Sequence, residues 1–208
     1  MTKRKTGSTP TRRTRANGDR SRERILDAAT TVATERGYDA ASISAVSELS
    51  GLPPTSIYWH FADKDDLMAE VIDRSFERWS HALSLPEIGS AEERGREIGA
   101  QVAKALQQSP EFLRLGLKLA LDRRPVELHA KTRFLHNREA TFQRFADVIR
   151  AVAPGLAEAK VEVLTTYLIA GADGIFVANE IEDNPQRFSD LFELHAQLVF
   201  EAAVAMAP

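Results

Sequence analysis

The chain has no cysteine. That absence excludes a disulfide framework, a zinc–thiolate site, an iron–sulfur cluster and a cysteine nucleophile, and nothing points to an oxidising compartment. Long apolar runs are also lacking. The basic N-terminus is followed by no apolar signal core, and the most apolar stretch, residues 163–172, stops at Asp173 after about half a bilayer span. No membrane segment is expected, and the cytoplasm is the default location. G-x-S-x-G, a phosphate loop, G-x-G-x-x-G and H-E-x-x-H are all missing. The 5 histidines are scattered. His129 and His136 can share a helix face, but seven residues rise about 10 Å, too far for one metal. The carboxylate pairs Glu92–Glu93 and Asp65–Asp66 fall at helix starts, where the helix dipole favours them without any catalytic role. No enzyme activity, cofactor or metal is expected.

What is present is an ordinary globular composition, 43% hydrophobic and 27% charged over 208 residues, with an uneven charge. Lys3, Arg4, Lys5, Arg12, Arg13, Arg15, Arg20, Arg22 and Arg24 face only Asp19 and Glu23 in the first 24 residues, a net of +7 within a chain of −3 overall. A basic end on an acidic body suits a polyanion-binding head, although a tail that merely aids solubility has the same charge.

Apart from Ala16, residues 1–18 carry no aliphatic side chain after Met1, and they are expected to form a disordered basic arm. From there the periodicity is helical. Ile25, Ala29, Val32 and Ala33 share a face over 19–36, and Gly37 supplies a left-handed stop. Ser42 caps a short second helix with Ile43, Val46 and Leu49 or Ser50 inward, and Gly51 ends it. Pro53 and Pro54 fit only a helix start, giving a third helix to about Phe61 with Ile57 and Phe61 on its buried side. A long fourth helix follows and ends before Pro86. Further helical segments read as 91–108, 110–121, 125–152, 157–179 and 185–206, and no segment shows period-2 alternation. The predicted fold is all-α with about nine helices: a basic arm over 1–18, a three-helix helix-turn-helix domain over 19–66, and a larger helical ligand-binding and dimerisation domain over 67–208.

Two helices joined by a tight Gly-containing turn form the helix-turn-helix arrangement, in which the second helix enters the major groove. With Ile57 and Phe61 inward, Thr55, Ser56, Tyr58, Trp59 and His60 point to the exposed sides. There their hydroxyls can bond bases and phosphates, and their rings can lie on sugars and thymine methyls. The alternative is that Tyr58 and Trp59 pack on the fourth helix. The run 43–67, ISAVSELSGLPPTSIYWHFADKDDL, resembles the helix-turn-helix signature of the TetR family of bacterial transcriptional regulators, with its small-residue second helix, Gly turn, Tyr-x-His-Phe end and following Lys-x-x-Leu. The resemblance reaches back over 25–38. It implies that Ser42 and Ser44 lie near phosphate or bases, that Thr55, Ser56, Tyr58, Trp59 and His60 contact DNA, and that Lys64 binds a phosphate at the start of the fourth helix. Pro53–Pro54 stands where the family often has a capping Ser and a basic residue, so a cap and a phosphate contact are missing. Arg12, Arg13 and Arg15 can compensate as an arm in the minor groove.

Behind the head, polar groups on apolar helices suggest a cavity, and the resemblance implies a pocket for a small-molecule effector in this region. Its candidate lining is Trp79, Phe112, Leu115, Leu119, His136, Phe142, Thr166 and Tyr167. Gly171, Gly174, Ile175 and Ala178 make a small-residue stripe that Tyr167 adjoins, and Phe188, Leu191, Phe192, His195, Leu198, Val199 and Ala202 make a broad apolar face. Together these two faces are the expected homodimer interface. The reading is a dimeric regulator of transcription, a repressor released from a palindromic double-stranded DNA operator by a small apolar ligand. The alternative is an all-α small-molecule binding protein or enzyme whose basic end binds an acidic partner.

Overall fold

The computed structural model describes residues 12–86, 88–122, 128–182 and 185–208. Among them are nine helices and no strand, so the all-α expectation holds: α1 (Arg12–Arg36), α2 (Ile43–Ser50), α3 (Pro54–His60), α4 (Lys64–His81), α5 (Ala91–Gln108), α6 (Glu111–Leu121), α7 (His129–Val152), α8 (Glu158–Glu182) and α9 (Pro185–Met206). Two compact units divide between Val71 and Ile72, a few residues beyond the boundary read from sequence. The chain passes from one to the other inside α4. α1 starts at Arg12 rather than near Asp19, so the backbone of 12–18, read as part of the arm, is helical. Residues 1–11 of that arm lie outside the described residues.

The first unit is built by its caps. Ser42 Oγ accepts from Ala45 N at 3.2 Å and starts α2. Gly51 ends α2 at φ +64°, a left-handed turn that glycine adopts without strain. Arg24 donates to the Ser50 carbonyl, so a helix C-terminus that lacks its own basic residue receives one from α1. Pro54 opens α3, which has no side-chain cap. Ile25, Leu26, Ala29, Val46, Ile57 and Phe61 close a core around these caps. Ser50, not Leu49, is the inward residue at the end of α2.

The second unit is a helical bundle in which α5 and α9 pack most extensively. Gly95 and Gly99 permit this approach: a Cβ at either would collide with the α9 backbone at Phe192, Glu193, Ala196 or Gln197. A capping box between Ser90 and Glu93 fixes the start of α5. The Ser90 backbone N–H donates to the Glu93 carboxylate at 2.9 Å, and this bond, with the Ser90 hydroxyl beside it, holds the Glu93 pKa below the usual value. By length and composition α8 is the one described helix able to cross a membrane. Two of its charged groups are nonetheless tied to its neighbours, Asp173 to Arg138 of α7 and Glu180 to Arg114 of α6. The α6 partner gains as well, since Glu180 pushes the Arg114 pKa up.

Candidate nucleic-acid interface and ligand cavity

Helix α3 separates its faces sharply. Ile57 is fully buried, whereas Tyr58 is 56% and Trp59 76% exposed. Thr55 is exposed and Ser56 half-buried. Two large rings in water on a seven-residue helix are an expensive arrangement for a protein without a partner there. Trp59 and His60 meet edge to face at 4.6 Å. Burial, and secondarily the Arg22 guanidinium, hold His60 below the ordinary imidazole pKa against a smaller opposing pull from Asp19. A shallow groove beside the helix is lined by Asn17, Gly18, Ser21, Thr55, Ser56, Trp59 and His60, so the N-terminal part of α1 and the exposed side of α3 present one surface.

Several basic residues of the head are committed internally. Arg22 pairs with Glu70 at 2.5 Å and lies over the Phe61 ring. Arg24 caps α2. Lys64, assigned by resemblance to a phosphate, donates to the Asp39 carbonyl at 3.0 Å and sits 4.4 Å from the Tyr38 ring centroid. Tyr38 in turn donates to Asp65. Ser42 is occupied as the α2 cap and shares a 2.9 Å hydrogen bond with Ser44, which is exposed. The side chains of Arg12, Arg13 and Arg15 lie outside the described residues.

The second unit encloses a mostly apolar cavity. Its volume is about 60 Å³. Helices α4 to α9 all contribute to its wall. Of the predicted lining, Trp79 and Phe112 are there, their rings 5.8 Å apart and inclined by 25°. Leu115 and Leu119 are buried but outside the lining, and His136 is exposed. Phe142 and Thr166 face a separate surface groove between α7 and α8, and Tyr167 is 62% exposed. The polar part of the wall is Thr141 and Asp173, two of the polar groups whose place on apolar helices suggested a cavity, together with Arg138, which sequence reasoning missed and which forms a two-pronged ion pair with Asp173. His195, assigned to the dimer face, also lines the cavity.

α7 works on two sides. Asn137 and Arg133 bind Asp73 of α4, and Arg144 donates to the Ser80 and Leu83 carbonyls at the end of α4, while Arg138, Thr141 and Phe145 line the cavity.

The predicted dimer faces split. Phe188, Phe192 and Val199 are 2% exposed, and their apolar surface is consumed within the bundle. His195 bonds the Leu168 carbonyl, and a Cβ at Gly171 would strike its ring. Ile175, Ala178 and Ala202 are half-buried, whereas Gly174 faces open space. The outer stripe is Leu191, Leu194 and Leu198 on α9 with Val163, Tyr167, Val177 and Ile181 on α8, each between 38% and 78% exposed. On α8 this stripe, through Ala170 and Gly174, follows alternating spacings of four and three, the seam of a helix that packs on another helix. That spacing was available in the sequence.

A capped α2, a left-handed Gly51 and an α3 with its aromatics in water make up a helix-turn-helix. Residues 25–71 match the family model of the bacterial regulatory proteins of the tetR family. It is 33% identical over 89 residues to the HTH-type transcriptional repressor KstR of Rhodococcus jostii, covering 43% of this chain and 42% of that protein. It is 25% identical over 182 residues to the HTH-type transcriptional repressor Rv1474c of Mycobacterium tuberculosis, covering 83% and 89%. Matches to the first curated relatives span only 30% to 42% of their length. The fold resembles that of SCO4454, a TetR-family transcriptional regulator from Streptomyces coelicolor, with a TM-score of 0.70 at 18% identity over 89% of this chain and 97% of that one.

Proposed function

We propose that the protein is a homodimeric, cytoplasmic repressor that binds a palindromic operator and releases it when a small apolar molecule enters the second-unit cavity. The observation that carries the reading is α3, a helix with Ile57 fully buried and Tyr58 and Trp59 in water. That distribution suits insertion into a major groove, with Thr55 and Ser56 available to base edges and phosphates. Ser44, the groove beside Asn17 and the basic residues ahead of it supply backbone contacts, because Arg22, Arg24 and Lys64 are engaged in the fold.

The seam on α8 and α9 is assigned to a second copy of the chain. A two-fold dimer presents two recognition helices to half-sites about 34 to 36 Å apart, or a multiple of that distance. Release is assigned to α7, which lines the cavity and holds the second half of α4. A ligand that favours a shifted α7 draws α4 with it, and linkage requires DNA to weaken ligand binding by the same factor. No catalytic role is assigned to the chain.

Selection from random duplexes followed by nuclease footprinting tests the reading. A symmetric protected site with steep salt dependence supports it. Featureless binding to any duplex, or a preference for an acidic protein over DNA, contradicts it.

A further inference from the structure

We propose that the cavity binds an uncharged, largely apolar molecule through a single hydrogen-bond acceptor, and that Trp79 Nε1–H is the donor that meets it. This rests on reading the cavity as the effector site and goes on to name the chemistry of its occupant.

Trp79 is 6% exposed and lines the cavity, yet its indole nitrogen is buried with no hydrogen-bond partner. An indole N–H can only donate, and burying it unpaired costs free energy that an acceptor would recover. Such an orphan in a native wall points to a group that is missing. Arg138, Thr141 and His195 already donate within the fold. The Arg138 guanidinium is taken by Asp173 through two nitrogens. Thr141 donates its proton to the Asn137 carbonyl at 2.9 Å. His195 Nε2 lies 2.9 Å from the Leu168 carbonyl, which only accepts, so Nε2 carries the proton.

Charge follows from the same pairing. A carboxylate would have to take Arg138 from Asp173 and leave that carboxylate unpaired, and an ammonium would strand Arg138 in the same way. Neither gains from a wall in which the Arg138 and Asp173 charges already cancel each other. The rest of the lining is aliphatic or aromatic, including the offset Trp79–Phe112 stack, which suits a flat ring. A ketone, ester or ether on a compact apolar body meets every term.

The test uses the full chain and three probes: cyclohexanone; methylenecyclohexane, which has the same shape but a CH₂ in place of the oxygen; and cyclohexanecarboxylate. In calorimetry cyclohexanone is expected to bind about tenfold more tightly than methylenecyclohexane, the worth of one hydrogen bond to an otherwise unpaired donor. Trp79→Phe should bring the two within about twofold. Should that variant fail to fold, the indole N–H resonances of wild-type protein serve instead: cyclohexanone should move the Trp79 signal and leave that of Trp59 in place. If neither ring binds, the effector-site reading fails and this proposal with it. If both bind equally, or the preference survives in Trp79→Phe, the cavity reading stands and the Trp79 anchor is overturned. Tighter binding of cyclohexanecarboxylate than of cyclohexanone overturns the uncharged ligand.

Discussion

Two surfaces of this protein leave large apolar side chains in water, and they differ in what surrounds those side chains. On α3, Tyr58 and Trp59 stand among Thr55, Ser56 and His60, aromatic groups whose polar edges and hydroxyl neighbours match a wet, charged groove. On α8 and α9, Leu191, Leu194, Leu198, Val163, Val177 and Ile181 form aliphatic rows at heptad spacing, with glycine and alanine between them. The first composition tolerates water in the contact, while the second gains only when water leaves. Exposure alone therefore does not identify a partner. The chemistry beside the exposed group does.

The largest expected effect comes from breaking the aliphatic surface. Leu198→Asp would bury a carboxylate in the proposed dimer seam, so light scattering should report a monomer. Operator affinity in a mobility shift should fall by about 10²-fold or more as paired engagement is lost. A variant that stays dimeric would move the interface elsewhere.

The two sides of α3 give the next contrast. Ile57→Ala should cost about 2 to 5 kcal/mol of stability, whereas Tyr58→Ala should leave the melting temperature within a degree or two and weaken DNA binding. An early melt for the Tyr58 variant with none for the Ile57 variant would reverse the faces.

A smaller effect tests the basic end. Removing residues 1–11 deletes Lys3, Arg4 and Lys5, and the slope of log affinity against log salt should shrink by up to about 3 if each meets a phosphate. An unchanged slope makes that segment a passive tail.

The smallest effect concerns His60. Burial and Arg22 keep its pKa low in the free protein, and phosphates brought close on binding raise it, so binding takes up a proton. Affinity should therefore rise a few-fold as pH falls from about 7 to 5.5 and stay flat above 7, and His60→Gln should remove that contribution.

The helix-turn-helix was legible because its signals are local. Ser42, Gly51 and Pro54 act on the residues beside them, and the Ile57/Tyr58 alternation of faces needs only helical geometry. The fold class was legible for the same reason, since prolines and glycines punctuate every helix. The rear surfaces were harder. α8 is apolar on nearly every side, so its pattern does not say which side turns inward. On α9 the rows containing Phe188, Phe192 and Val199 and the rows containing Leu191, Leu194 and Leu198 are equally apolar. What separates them is Gly95 and Gly99 on a distant segment, which let α5 take the first set. The cavity wall shows the same limit. Arg138 and Asp173 lie 35 residues apart and pair only once α7 and α8 are side by side.

Hydroxyl-radical footprinting of the protein's side chains, with and without operator, tests both surfaces in one measurement. In the free protein at dimer-forming concentration, Tyr167, Leu194 and Leu198 should already be protected, while Tyr58 and Trp59 react freely. Adding operator should protect Tyr58 and Trp59 and leave the first set unchanged. Reactive Tyr167 and Leu198 in the free protein, or Tyr58 and Trp59 equally reactive with DNA bound, would contradict the assignment of the two surfaces.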